Sequence, residues 1–239
     1  MKKSYFLGAA ALIFASNAFA SNSYITGNVK FNSDIDARLG SESGSMVEAG
    51  YGSDVVATIE AGHAFDNSFG DLTVYIELDG LQLGTVDYID TPYTMLGIEQ
   101  SFSTGENFWV AAGYQNVIHQ GDSIESRMLV RLGYDFDSGV SLSHRTRIDL
   151  DSSDYKRFRT RFDNSIAYSP TNFNAAFSYN NIYYLMDEGT NSIKHEVRAT
   201  WTRNGVQPYL EFGYQDDLVS THGFAVDNYT TVIGASYAF

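Results

Sequence analysis

The stretch DNYTTVIGASYAF, Asp227–Phe239, decides the fold. Taken by twos, one set is Tyr229, Thr231, Ile233, Ala235, Tyr237 and Phe239, and the other is Asn228, Thr230, Val232, Gly234, Ser236 and Ala238. Side chains of a β-strand alternate between two faces. This segment therefore predicts a strand with one apolar, aromatic-tipped face and one small or polar face.

The same period of two recurs upstream. Val55, Ala57, Ile59 and Ala61 alternate with Val56, Thr58, Glu60 and Gly62. Leu72, Val74, Ile76 and Leu78 alternate with Thr73, Tyr75 and Glu77, and Met128, Val130, Leu132 and Tyr134 alternate with Arg127, Leu129, Arg131 and Gly133. No helical period of 3.6 persists over a useful length. The fold class is all-β. A soluble β-sandwich would also alternate, but it would make one dry core from its inner faces. Here the second face carries Arg, Glu, Thr, Ser, Asn and Gly, which suits a wet lumen. The reading is a transmembrane antiparallel meander β-barrel whose apolar face meets lipid.

Turn signals divide the strands. FDNSFGD (65–71), STGEN (103–107), DFDSG (135–139), SPTN (169–172) and RNG (203–205) read as short turns on one rim. The acidic segments 79–90, 116–125, 184–192 and 216–227 read as longer loops on the other rim, with 150–154 a brief exception. About eleven strands follow Val55. An even total requires the segment 22–53 to supply one strand, for 12, or three short ones, for 14, and 12 is preferred.

Lys2 and Lys3, the apolar run YFLGAAALIFA and the cleavage pattern Ala18-Phe19-Ala20 predict a secretory signal peptide at 1–20, followed by a single barrel domain at 21–239. The chain has no cysteine, so it forms no disulfide framework. The formal net charge of −14 excludes a general nucleic-acid binder.

That charge is segregated. No Lys or Arg occurs between Leu39 and Ser126, a stretch holding fourteen carboxylates. The segment HRTRIDLDSSDYKRFRTRFD (144–163) instead spaces arginines by two. Their phase opposes the apolar one, because a charge facing lipid would cost about 2–4 kcal/mol at the bilayer midplane. A cationic track of Arg127, Arg131, Arg145, Arg147, Arg157, Arg159, Arg161, Lys194 and Arg198 is therefore expected to line the lumen, facing an acidic wall of Glu60, Glu77, Glu99 and Glu211. With a turn near Ser152, Arg147 is expected opposite Arg157 and Arg145 opposite Arg159. With a turn near Asp137, Arg127 is expected opposite Arg147. Asp149 and Asp163 look too few to neutralise these arginines. The track suits anionic solutes, and the alternative is an internal salt-bridge lattice that fills the barrel.

An enzyme is not expected. The histidines read HAF, HQG, HRT, HEV and HGF, and none matches the His-x-Ser-Asn-Gly motif of barrel phospholipases. His144 and His195 take the lipid-facing phase. Asp216-Asp217 with His222 is a weak protease-like signal in an acidic loop. No cluster has the ligand spacing of a metal site, and no cofactor is expected.

A terminal Phe on such a strand resembles the C-terminal signature of Gram-negative outer-membrane barrels, which implies recognition by the barrel-assembly machinery through Phe239. The terminal SYAF, the lumen-phase arginines and the segment HEVRATWTRNGVQPYLEFGY (195–214) resemble the small monomeric porins typified by the oligogalacturonate-specific porin. That resemblance covers roughly 125–239. It implies a 12-stranded monomeric channel in the Gram-negative outer membrane, embedded among bilayer lipid and lipopolysaccharide, that passes acidic oligosaccharides or sugar acids. The acidic first half and the long segment before Val55 depart from the family pattern. Related 14-stranded monomeric porins are similar in the same C-terminal pattern, and the alternatives in function are a general small-solute porin with weak or cation selectivity, a closed barrel acting through its surface loops, and an outer-membrane hydrolase.

Overall fold

The computed structural model describes residues 23–33, 51–83, 92–105, 107–219 and 225–239. The expected signal peptide and most of the first loop lie outside these residues. Twelve strands form one closed antiparallel barrel in which each strand pairs with its sequence neighbours and β1 pairs with β12. They are β1 (Ser23–Ser33), β2 (Tyr51–Asp66), β3 (Asp71–Gln82), β4 (Tyr93–Ser103), β5 (Phe108–His119), β6 (Asp122–Asp135), β7 (Val140–Asp151), β8 (Arg157–Tyr168), β9 (Ala176–Met186), β10 (Ser192–Thr200), β11 (Gln207–Val219) and β12 (Ala225–Ala238). The segment 22–53 supplies one complete strand and the start of β2, which settles the total at 12 rather than 14. No helix occurs among the described residues.

The alternation sets the two faces. Ile59, Ile76, Leu96, Ile98, Val130, Leu132, Ile166, Val197, Leu210 and Ile233 are exposed on the outer wall. Glu60, Thr73, Glu99, Gln115, Arg147, Asp149 and Glu211 are buried on the inner wall. This inverts a soluble protein. Aromatic side chains crowd the terminus-proximal rim, where Phe65, Phe108, Tyr134, Tyr168, Phe177, Trp201, Tyr237 and Phe239 are all exposed, as an interfacial girdle requires.

Closure rests on the seam between β1 and β12. It runs in register from Tyr24↔Ala238 to Asn32↔Thr230. Ser23 and Phe239 exchange backbone hydrogen bonds of 3.0 and 3.4 Å at its end. No edge strand is left to expose unpaired amides to lipid.

The connections differ from the sequence expectation. The segment 116–125 is mostly strand. β5 and β6 continue to a two-residue turn, Gln120-Gly121, in which both φ angles are positive (53° and 93°). Such a turn matches the twist of the hairpin it joins. Acidic residues expected in loops stay in the ladder above it, as Glu125↔Asp151 shows. Long segments on the rim away from the termini are confined to 34–50 and 83–92.

Inside the wall, four aromatic rings lie over glycines of the next strand. Tyr24 pairs with Gly62, Tyr75 with Gly97, Trp109 with Gly133 and Tyr209 with Gly234. A Cβ on Gly97 would overlap the Tyr75 ring. Glycine weakens a strand interior, and here a close approach explains its presence. Gly97→Ala is expected to destabilise the barrel by about 1–3 kcal/mol through overpacking. Urea unfolding in detergent micelles, followed by tyrosine and tryptophan fluorescence, measures this.

Candidate functional site: the charged inner wall

Three of the strands that carry the basic residues, β6, β7 and β8, are neighbours, and β10 follows one strand further on. β6 supplies Arg127 and Arg131, β7 Arg145 and Arg147, β8 Arg159 and Arg161, and β10 Lys194 and Arg198. Arg157 stands apart. It lies at the rim, half exposed, where its Nε and Nη2 fork onto Asp187 at 3.0 and 2.8 Å.

The register corrects the expected pairing. Arg147 faces Arg161, Asp149 faces Arg159 and Arg145 faces Asp163 across β7–β8, and Arg127 faces Asp149 and Arg131 faces Arg145 across β6–β7. Across β6–β7 the ladder runs unbroken about a turn centred one residue beyond Asp137, and across β7–β8 the cause is the tip of the hairpin. A bulge falls between Asp149 and Leu150, and Tyr155 adopts a positive φ of 57°. An extra residue on one strand shifts which side chains meet. The shift places carboxylates beside most of the guanidinium groups.

Two aspartates carry much of the lattice. Asp149, fully buried, receives Arg147 through Nε (2.7 Å) and Nη2 (2.9 Å) and Arg159 through Nε (2.6 Å), with the Arg127 Nε at 3.9 Å. Asp163 receives Arg145 and Arg161, each through Nε at 2.6 Å. Glu125 binds Arg127 at 2.6 Å and lies 3.7 Å from Arg159. Among the described residues, five guanidinium groups thus meet three carboxylates within 4 Å. This patch keeps a net positive charge while every member is held in place. The Tyr184 ring lies 5.8 and 5.4 Å from the Arg159 and Arg161 guanidinium carbons, close enough for cation–π attraction.

The expected acidic wall divides. Glu99 reaches over the small residues of β5 to Arg131 at 3.2 Å, and one of its oxygens is buried without a hydrogen-bond partner. Glu211 sits on the cationic side, bound by Arg198 at 2.7 Å. Lys194 is held by Glu196 at 2.6 Å, an acid not singled out from sequence. Glu60 and Glu77 face each other on β2 and β3. Tyr24 donates to Glu60 at 2.8 Å, and Thr58 donates to Asp79 at 2.6 Å. Glu60, Glu77 and Asp79 make no ion pair among the described residues. In ring order β2 and β3 lie across the barrel from β8 and β9. A net cationic patch therefore faces a net anionic one.

At the outer loop, the hydrogen bond from Lys156 holds the Asp154 carboxyl below its ordinary range. This pair is solvent-exposed and adds little to stability. The side chains of Asp217 and His222 lie outside the described residues. His144 and His195 sit on the outer face, away from every carboxylate of the inner wall. No group of three or more His, Asp or Glu among the described residues is placed to hold a metal ion.

Asp149→Asn is expected to destabilise the fold by about 3–5 kcal/mol, because it leaves buried guanidinium charge uncompensated. Asp154→Asn is expected to leave stability unchanged. Urea unfolding midpoints of the two variants test the contrast.

No protein-family model matches the sequence, and no curated protein matches it. Solved structures do match. The NanC porin superposes with a TM-score of 0.67 at 12% identity, covering 90% of this chain and 100% of that one. The KdgM porin gives 0.62 at 13%, covering 90% and 99%, and it has also been solved in complex with disordered oligogalacturonate. An outer membrane channel from Pseudomonas putida F1 gives 0.57 at 14%, covering 93% and 97%. At these identities the likeness is one of fold, and the chain has the twelve-stranded membrane-spanning barrel seen in the NanC and KdgM porins.

Proposed function

We propose that the protein is an outer-membrane porin, a passive water-filled channel whose arginine patch draws anionic solutes, with acidic oligosaccharides or sugar acids as the substrate class. The observation that carries this reading is the imbalance at the inner wall, where Arg127, Arg145, Arg147, Arg159 and Arg161 share Glu125, Asp149 and Asp163. A lattice built only for stability would balance its charges. Here the shared carboxylates orient the guanidinium groups and leave N–H donors uncommitted. For Arg145 and Arg161 the Nε is the engaged donor, so the terminal nitrogens remain for a ligand. Guanidinium binds carboxylate in a planar fork and stays charged at any physiological pH.

The fold supports a channel, since its structural neighbours are porins and outer-membrane channels. The KdgM porin's complex with oligogalacturonate gives the acidic-saccharide reading a precedent on this fold. The carboxylates of Glu60, Glu77 and Asp79 across the barrel complete a transverse field. A solute crossing the lumen would be pulled against one wall, which orders it and slows it there. No cofactor or enzymatic step is needed, because the concentration gradient drives passage.

Planar-bilayer recordings of the purified protein in a salt gradient test the reading. Stable conductance with a reversal potential favouring anions is expected. R145Q/R159Q/R161Q is expected to lower the anion-to-cation permeability ratio by roughly an order of magnitude, the lower end of what a focused field supplies. Absence of conductance would overturn the channel, and an unchanged ratio would overturn the arginine track.

A further inference from the structure

The inner-wall rings of Tyr24, Tyr75, Trp109 and Tyr209 each have a glycine of the next strand as their register partner. Tyr184 does not. Its partners are Arg161 on β8 and Ser192 on β10. The alternation that sends Tyr183 to the outer wall, where it stacks with Phe162, sends Tyr184 into the lumen. Tyr24, Tyr75 and Tyr209 are buried, whereas Tyr184 keeps part of its surface open.

Tyr184 stands at a break in the cationic arc. The inner face of β9 is Ser178, Asn180, Ile182, Tyr184 and Met186, with no formal charge. Its neighbours are cationic, with Arg159 and Arg161 on β8 and Lys194 on β10. The two guanidinium carbons lie 5.8 and 5.4 Å from the centre of the Tyr184 ring. The phenol is also within electrostatic reach of Lys194, Arg147 and Glu196. Glu196 is already engaged, by Lys194 at 2.6 Å and by Asn180 at 3.3 Å. Among the described residues the Tyr184 hydroxyl has no hydrogen-bond partner. Arg161 commits its Nε to Asp163 and keeps its terminal N–H groups.

Two kinds of donor therefore open onto the lumen from adjacent positions. Side chains directly opposite across two strands start about 5 Å apart at Cβ. An ionised carboxylate has about four lone-pair sites, so it can take a guanidinium N–H and a phenol O–H together. A halide ion has no such geometry to match and is drawn by charge from any direction.

We propose that Tyr184 is a specificity-determining residue of the arginine patch, whose hydroxyl donates to a saccharide carboxylate that Arg161 holds at the same time. This role rests on the anion-channel reading and adds a directed contact to it. The field selects anions by sign, and the phenol selects among them by shape.

The full-length wild type, Tyr184→Phe and Tyr184→Leu are compared in planar bilayers, first in a KCl gradient and then with trigalacturonate added to one side. Y184F keeps the ring beside the guanidinium groups and removes only the hydroxyl. It is expected to leave the chloride-to-potassium permeability ratio unchanged and to raise the half-blocking concentration of trigalacturonate about tenfold, the scale of one hydrogen bond to a charged group. Equal block of Y184F and wild type would overturn the proposal. If Y184L alone then lost the block, the ring would be only a prop for Arg159 and Arg161. A shifted permeability ratio in Y184F would also overturn it, because the hydroxyl carries no formal charge. Failure of the underlying reading shows in the wild type itself, as no anion preference or no block. Failure of the Tyr184 role alone shows as a wild-type block that Y184F retains.

Discussion

Everything in this structure depends on the hydrogen bonds that join the first strand to the last. In hydrocarbon an unpaired amide has no water to turn to, so a sheet is admissible only when it closes. The β1–β12 seam achieves closure between residues some two hundred positions apart. Once the ring is closed, the period of two becomes binding. A one-residue slip anywhere would turn the arginines toward lipid and the isoleucines toward water. The tyrosine-over-glycine pairs and the inner ion pairs are fine adjustments within that constraint.

Much of the fold was legible because its strongest signal is local. The face of Arg159 follows from Phe158 and Phe162 beside it, with no knowledge of distant partners. Strand and turn chemistry, together with the need for an even total, narrowed the count to twelve or fourteen and favoured twelve, and the segment before Val55 decided it only in the structure. Two features were not legible. The partner of Arg147 depends on a bulge at Asp149/Leu150 and on the backbone of Tyr155, and neither residue type announces such geometry. The extent of β5 and β6 was hidden because residues 116–125 break the alternation, with Val117 and Ile118 adjacent and polar residues on both phases around Gly121, which resembles a loop when no membrane boundary is marked. Gln120-Gly121 was the available clue, since glycine at the second position of a two-residue turn is a hairpin signal.

The inner wall shows how a barrel can hold many like charges. Arg147 and Arg161 are direct cross-strand neighbours, as are Arg131 and Arg145, and both pairings are unfavourable taken alone. Carboxylates two residues along the same strand, Asp149 beside Arg147 and Asp163 beside Arg161, provide the counter-charge. They share the arginines' face because two residues is the strand repeat. The same spacing that points the arginines inward also delivers the acids that restrain them, so a short sequence encodes both the charge and its scaffold.

The brevity of the connections over β5–β8 has a consequence for approach from outside. The wall there ends in two residues between β5 and β6 and five between β7 and β8, whereas 17 residues link β1 to β2. Lys156 and Arg157 stand at this low edge, the first largely and the second half exposed. Each is paired with a carboxylate, Lys156 with Asp154 at 2.6 Å and Arg157 with Asp187 at 2.8 Å, so under the proposed anion channel a flexible anion arriving from open water would compete with those partners. Screening confines their reach to about 8 Å at physiological ionic strength. Under that proposal, capture at the lip would be a short-range event that salinity weakens, whereas the buried arginine lattice is screened far less. Dilute and salty surroundings would change how often a molecule is caught more than how it fares once inside.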